Sequence, residues 1–276
     1  MTDFYNKLME QSGFDEALIR HAHEFTDTID INEFSRLFFD TQHFSVEKAG
    51  VLSFEDSFYP YDFYSLLQCL GKPSETSALY IYIVLSERSC KEHISRKLDE
   101  KIFFDTMKSV AHASKIYSDN TGHEGLYDYH FLANHIRGNI LRLGSFEYQY
   151  GSFEDKKAII LHVPENANME KEKRLHSYSL ARRFFGDFPI IADSWLLFNE
   201  HKKMLPEDSR ILDFMNDFDI VSSHETTDYS ELFHVFGRLS DFSYKNLPKS
   251  TALQRAYAER VRNNLPIGSA TGVLRH

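Results

Sequence analysis

The first half of the chain carries apolar residues at the spacing of amphipathic helices. Between residues 99 and 117 they recur every three or four positions and form one helical face: Ile102, Phe103, Met107, Val110 and Ala113. The segment 74–98 is typical of one long helix, or of two that meet near Ser89. Residues 119–122, with their final glycine, are a typical helix end. We therefore predict an all-helical region that ends at a junction within residues 117–127.

After Gly138 the pattern becomes that of a β-sheet interleaved with helices. The predicted strands are 140–143, 146–150, 158–163, 189–198, 218–223 and 231–236, and the predicted helices are 170–185 and 251–263, with a helix-rich stretch before residue 216. Alternation of this kind implies a mixed sheet covered by helices. The sequence thus predicts an α+β protein in which a helical N-terminal domain, residues 1–121, precedes a mixed β-sheet domain, residues 122–276.

Charge and cysteine content exclude several classes of binding partner and of stabilising site. The chain has 41 acidic and 31 basic residues, a formal net charge of −10, and such a surface repels nucleic-acid phosphates. It has no run of eighteen apolar residues, and its acidic first residues are unlike a signal peptide. Cys69 and Cys90 are too few for a disulfide framework or a Cys-x-x-Cys metal site. We expect a cytoplasmic protein that binds neither nucleic acid nor membranes.

Three polar residues of the second half are candidates for catalysis. His162 interrupts the apolar run 158–163, so it is either a hydrogen-bonded core histidine or a base at a cleft. Asp193 lies in a predicted buried strand, where a carboxylate needs a partner or a shifted pKa, and it is either structural or functional. Ser209 precedes a predicted helix and either caps it or contacts a reacting group. The sequence contains none of the common zinc-protease, nucleophile-elbow or phosphate-loop motifs, so we expect no metal.

Six short stretches of the second half form a recognisable set: GNILRLG (138–144), LHVP (161–164), DSWLL (193–197), LPEDSRI (205–211), VFG (235–237) and TALQRA (251–256). Together they resemble a bacterial family of acyltransferase-domain proteins, which have a helical N-terminal domain and a GNAT-like C-terminal domain. The resemblance is close over roughly residues 100–276 and loose before them. It implies a GNAT-like sheet and the transfer of an acyl group, acetyl first of all, from acyl-CoA to an amine.

The resemblance also implies where acyl-CoA lies. In the GNAT fold two parallel strands part, and the pantetheine arm of CoA lies between them; here those strands are 158–163 and 189–198. The pyrophosphate then rests on the start of the next helix, whose dipole favours an anion. This places Val163, Asn166, Ala167, Asn168 and Met169 near the cofactor, with Lys171, Lys173 and Arg174 in reach of its phosphates. It also makes His162, as an imidazole that titrates near neutrality, the base that deprotonates the acceptor.

The loop before that helix departs from the family pattern. GNAT loops contain glycines that let the backbone approach the pyrophosphate, whereas no glycine occurs here between Gly151 and Gly186. Asn166 and Asn168 tolerate left-handed backbone angles and are the residues able to form an anion-binding nest. Residues 199–217 also lack the tyrosine that many GNAT enzymes use as an acid.

Two other functions stay open on these grounds. One is a non-catalytic GNAT-derived module that binds acyl-CoA or another ligand, and the other is an enzyme of another class, such as a hydrolase, that uses the same cleft. The sequence does not name the acceptor. Residues 1–121 carry 20 acidic and 12 basic side chains, which favours a cationic small molecule, although solubility explains the acidity equally well.

Overall fold

The computed structural model describes residues 2–39, 44–46, 52–54, 61–229, 232–237 and 246–275. Within these ranges a helical region precedes a six-stranded mixed sheet, so the α+β prediction is confirmed. No helix in the described ranges is long and apolar enough to cross a bilayer.

The helical region contains helices α1 to α7 and a short hairpin. The helices are α1 Asp3–Lys7, α2 Glu16–Thr26, α3 Ile31–Phe38, α4 Tyr61–Gln68, α5 Ser74–Ser95, α6 Glu100–Thr121 and α7 Tyr129–Arg137, with a π-helical turn at Leu8–Ser12. Strands β1 Phe44–Val46 and β2 Leu52–Phe54 pair antiparallel, so the expectation of an all-helical region is wrong at this hairpin. Asp99 caps α6 by accepting a hydrogen bond from the Lys101 amide at 2.9 Å. Gly122, at φ 72°, ends the same helix where the sequence predicted.

The core of the helical region continues beyond residue 121. Leu132, Ala133 and Ile136 of α7 are buried in the same cluster as Leu79 and Ile83 of α5. Helix α7 therefore packs with the helices before it, and the sheet begins only after Gly138. Placing a domain boundary at residue 121 stays a prediction.

The second region is built on one mixed sheet. Its strands are β3 Leu141–Leu143, β4 Phe146–Phe153, β5 Lys156–His162, β6 Ile190–Ser194, β7 Phe218–Thr226 and β8 Ile267–Leu274, in the spatial order β3-β4-β5-β6-β8-β7. The helices are α8 Lys171–Phe185, α9 His201–Met204, α10 Arg210–Met215, α11 Phe233–Phe236 and α12 Ala252–Arg262. Strands β5 and β6 are parallel, and the other described pairs of this sheet are antiparallel.

Two predicted strands differ from the observed structure. The strand predicted to reach residue 198 ends at Ser194, whose hydroxyl accepts a hydrogen bond from the Leu196 amide at 3.2 Å and starts the 3-10 turn Trp195–Leu197. Residue 231 lies outside the described residues, and α11 replaces the rest of the strand predicted at 231–236. Val235 and Phe236 are buried beside α12. Their apolar side chains are therefore compatible with a buried strand as well as with a buried helix.

Strand β8 was not predicted from the sequence, yet it joins β6 to β7. It is rich in small residues, so its hydrophobic signal is weak. Gly272 shows why they are needed, because a Cβ there would lie 2.9 Å from Cβ of Phe218 on β7. The unpredicted strand thus depends on close approach between neighbouring strands.

Candidate functional site

Strands β5 and β6 run side by side for two residue pairs and then part. Ile159 pairs with Ile190, Ile160 pairs with Ile191, and the parallel register ends there. Beyond this point β5 continues its pairing with β4, and β6 continues with β8. The facing backbone edges are therefore open toward each other at the carboxyl ends of the strands, which is where sheets of this kind bind ligands.

A cavity of about 700 Å³ opens at this gap, within the usual size range of small-molecule sites. One wall is the ends of β5 and β6 with the residues that follow them. The helical region supplies a second wall from α6 and α7, and α11, α12 and the start of β8 supply a third. Because the walls come from both regions of the chain, the cavity depends on how the helices pack against the sheet.

His162 lies at the end of β5 and lines this cavity. Its side chain is half-buried, and its Nε2 atom is buried without a hydrogen-bond partner among the described residues. The Phe131 ring packs edge-on against the imidazole, with centroids 5.3 Å apart. Burial lowers the pKa of His162 to about 4, while the nearby Glu147 carboxylate raises it. The imidazole is therefore neutral at physiological pH, and the expectation that it titrates near neutrality is wrong.

Behind His162 lies a buried polar cluster that the sequence analysis missed. Glu147 on β4 is 2% exposed and accepts a hydrogen bond from the Ser109 hydroxyl of α6. Nε2 of His135, on α7, lies 3.1 Å from the other carboxylate oxygen. Burial alone would raise the pKa of Glu147, but attraction to His135 and the Ser109 hydrogen bond outweigh it and hold that pKa below its usual value. A carboxylate thus stays ionised inside the wall of the cavity.

Asp193 and Trp195 lie on the opposite side of the gap. Asp193 is exposed at the end of β6, and its carboxylate accepts a hydrogen bond from the Thr271 hydroxyl at 3.1 Å. Trp195 is half-buried and stacks on His234 of α11, with centroids 5.8 Å apart. Both residues line the cavity, so the structure brings Asp193 and His162 to the same site.

Ser209 has a different place. Its hydroxyl accepts a hydrogen bond from the Ile211 amide at 3.3 Å and caps α10. It is not among the residues that line the cavity. Of the two roles that the sequence left open for Ser209, helix capping is the one its contacts match.

The loop after β5 reaches from the cavity to the start of α8. Val163 and Asn166 line the cavity. Arg142 of β3 donates a hydrogen bond from Nη1 to Oδ1 of Asn166 at 2.7 Å, and the Asn168 side chain accepts one from the Glu170 amide at 2.9 Å. Among the described residues, positive φ angles outside glycine occur at four positions, none of them in this loop. The left-handed nest expected of the two asparagines is therefore not formed.

The basic residues at the start of α8 divide into two groups. Lys171 and Lys173 are exposed beside a helix start that no side chain caps. Arg174 is 0% exposed and is held by Asp213 at 2.8 Å and Asp217 at 2.9 Å. Its Nη1 also donates a hydrogen bond to the Met169 carbonyl at 2.6 Å. The guanidinium predicted to reach phosphates is thus engaged by carboxylates inside the protein.

Comparison with known proteins gives a family for the sheet region and a fold for the whole chain. Residues 140–274 match the family described as GNAT-like C-terminal domain. No curated protein gives a match in sequence.

The solved structures that are similar over nearly the full chain include the following three. An acyltransferase in complex with decanoyl-CoA and teicoplanin is 18% identical, with 98% of this chain and 86% of that chain covered and a TM-score of 0.75. An acyltransferase mutant in complex with octanoyl-CoA is 17% identical, with 99% and 88% covered and a TM-score of 0.76. An acyltransferase in complex with CoA and 10C-teicoplanin gives the same identity, coverage and TM-score as the mutant. At such identities the likeness establishes the fold, and residues 140–274 of this chain match the model of the family of GNAT-like C-terminal domains.

Proposed function

We propose that this protein is an acyl-CoA-dependent N-acyltransferase whose acceptor is a cationic small molecule. The observation that supports this most is the parting of β5 and β6 at a cavity that contains a neutral imidazole. Open backbone edges suit the amide groups of a pantetheine arm, and the imidazole suits an amine that must lose a proton. The similar solved structures, which hold CoA or acyl-CoA, agree with this use of the fold.

The loop after β5 and the start of α8 form the proposed cofactor site. Val163 and Asn166 lie next to the gap, and Ala167, Asn168 and Met169 lead from there to the helix. The uncapped amides of α8 and the ammonium groups of Lys171 and Lys173 would receive the phosphates. Arg174 would act indirectly, by holding Met169 and the loop in place.

His162 is the proposed base, and Asp193, across the gap, is the alternative. The acceptor arrives as an ammonium ion, which must lose one proton before its nitrogen can attack the thioester carbon. The C–S bond then breaks, and the CoA thiolate takes the second nitrogen proton. Backbone amides at the open strand edges would stabilise the oxyanion that forms in between. We assign Ser209 to helix capping.

The charge of the cavity supports a cationic acceptor. Four carboxylate residues line it, Asp128, Glu147, Glu165 and Asp193, and no described lining residue is a lysine or arginine. An acidic cavity attracts ammonium groups and repels anionic acceptors. Its volume of about 700 Å³ leaves room for an acyl chain longer than acetyl.

Two measurements test the proposed function. The purified protein is titrated with acetyl-, octanoyl- and decanoyl-CoA, and CoA release is then followed with a panel of polyamines and aminoglycosides. Saturable binding together with amine-dependent CoA release is expected. Binding without release would favour a non-catalytic acyl-CoA module, a reading that the missing nest in the loop also supports. Absence of acyl-CoA binding would reject both.

Replacing Lys171 and Lys173 with alanine should weaken acyl-CoA binding by about 0.5–1 kcal/mol for each lysine, because exposed ion pairs contribute little individually. The loss should shrink as salt concentration rises. The matched control removes two exposed lysines elsewhere, Lys202 and Lys249, and should leave affinity unchanged. Equal affinities for the two double variants would place the phosphates at another site.

Glu165→Gln should raise KM for a polyamine about two- to fivefold, with little change in kcat, because the side chain is exposed at the cavity. An aromatic amine that is uncharged at the assay pH should keep its KM. Glu207→Gln, an exposed carboxylate that does not line the cavity, is the control. If both amines respond equally, the cavity does not select for positive charge.

A further inference from the structure

Glu147 is a buried carboxylate whose charge needs an explanation. At 2% exposure an ion is costly unless it is paired, and a neutral glutamine could also accept the Ser109 hydrogen bond. The site instead keeps the negative charge, with His135 held 3.1 Å away. The buried charge therefore points to a role beyond hydrogen bonding within the wall.

The register of the sheet relates this charge to His162. Glu147 and His162 are directly opposite in the antiparallel β4–β5 pair, so their side chains point to the same face, with Cβ atoms about 4.5–5.5 Å apart. The Nε2 atom of His162 is buried and without a partner, which leaves Nδ1 as the ring nitrogen that can reach a substrate. One nitrogen of the imidazole is thus enclosed by the protein, and the other is the candidate for contact with a substrate.

The groups packed around the pair come from α7, α6 and β3, and Asp193 lies across the cavity. His135 faces the pair from α7, together with the Phe131 ring, and the Ser109 hydroxyl faces it from α6. Arg142, from β3, donates a hydrogen bond from Nη1 to the Ser109 hydroxyl at 3.3 Å. His135 therefore disfavours a proton on His162, whereas the Glu147 carboxylate favours it.

We propose that Glu147 is a positioning residue for His162. The Glu147 carboxylate compensates the positive charge that the imidazole gains when it takes a proton from the acceptor. This inference rests on the proposed function, because it needs a protonated amine as substrate. The ammonium proton moves to Nδ1 of His162, and the amine lone pair forms the new C–N bond. The C–S bond breaks, the thiolate takes the second nitrogen proton, and His162 returns its proton to solvent.

Compensation by Glu147 is important because the His162 imidazole is a weak base. Burial lowers the pKa of His162 to about 4, and the Glu147 carboxylate opposes that shift because it favours the imidazolium. Removing the negative charge should therefore lower the pKa of His162 further. A base with a lower pKa takes a proton from an ammonium less readily.

The test compares wild type with Glu147→Gln, which keeps the shape of the side chain. We expect kcat to fall by about 10- to 100-fold while acyl-CoA affinity stays within twofold. The acid limb of the kcat/KM profile should move to lower pH, and an NMR titration of the His162 ring should show the same direction. Glu147→Asp keeps the charge at a longer distance, so it should recover part of both effects.

The outcomes separate this inference from the proposed function. The NMR titration needs no substrate, so an unchanged His162 pKa in Glu147→Gln overturns the coupling whether or not the enzyme is active. A wild-type protein without amine-dependent CoA release overturns the proposed function instead. A lower kcat with an unmoved pH profile also overturns the inference, since a purely structural role predicts that pattern. If Glu147→Gln does not fold, Glu147→Asp against wild type gives the same comparison with smaller shifts.

Discussion

Replacing His162 with alanine should lower turnover at least tenfold, and by as much as about 10²–10⁴-fold if the imidazole is the base. The reason is its place at the end of β5, where the strands part and the cavity begins. Acyl-CoA affinity should stay nearly intact, because the proposed cofactor contacts come from the loop, the strand edges and the lysines of α8. Steady-state kinetics with an active amine, beside an acyl-CoA titration, measure both quantities.

A thermal melt of the same His162→Ala protein separates catalysis from folding. Nε2 of His162 has no described hydrogen-bond partner to lose, so the melting temperature should change little. His176→Ala, an exposed histidine on α8 that does not line the cavity, is the matched control and should keep wild-type turnover. A folded His162→Ala protein with normal turnover would falsify the base assignment and transfer it to Asp193.

The sequence made His162 a candidate but gave no sign of the residues that pack behind it, because those residues come from distant parts of the chain. In the pattern 146–150 the alternation puts Glu147 on the polar side of a strand, as for any solvent-facing residue. Helices α6 and α7 cover that face, and periodicity within the strand carries no information about which element covers it. His135 lies on α7, and the periodicity of that helix likewise gives no sign of its contact with Glu147 on a strand.

One local signal could have paired Glu147 with His162. Glu154 and Asp155 form the two-residue turn between β4 and β5, with φ angles of 50° and 59°. A two-residue hairpin loop fixes which residues lie opposite one another along both strands. Counting back from this turn places Glu147 against His162, as the observed register does. The turn lacks the usual Asn-Gly or Asp-Gly sequence, and the position of the hairpin was therefore not recognised.

The basic residues after the loop show a second limit of sequence reasoning. Lys171, Lys173 and Arg174 are close in sequence and look alike as phosphate ligands. Position 174, however, falls on the face of α8 that turns toward α10 and the residues after it, where Asp213 and Asp217 lie. Helical periodicity shows that the three residues cannot all share a face, but the acidic partners come from residues about forty positions away.

Arg174→Met should lower the free energy of unfolding by about 3–5 kcal/mol, the range for breaking a buried ion pair from one side. The Arg174 side chain is 0% exposed and that of Asp217 is 12% exposed. The Asp217 carboxylate would therefore stay shielded from water after losing the cation that pairs with it. The Met169 carbonyl would lose its donor as well. Urea unfolding of the variant and wild type measures the difference.

Two comparisons test whether the ion pair causes this loss. Arg183→Ala, at an exposed position of the same helix, should change stability by no more than about 0.5 kcal/mol. In Arg174→Met combined with Asp217→Asn the loss should be less than the sum for the single variants, since the charge left unpaired by one change is removed by the other. Additive losses would mean that the pair does not act as a unit. An Arg174→Met protein with wild-type stability but weakened acyl-CoA binding would instead support the sequence prediction that Arg174 binds the phosphates of CoA.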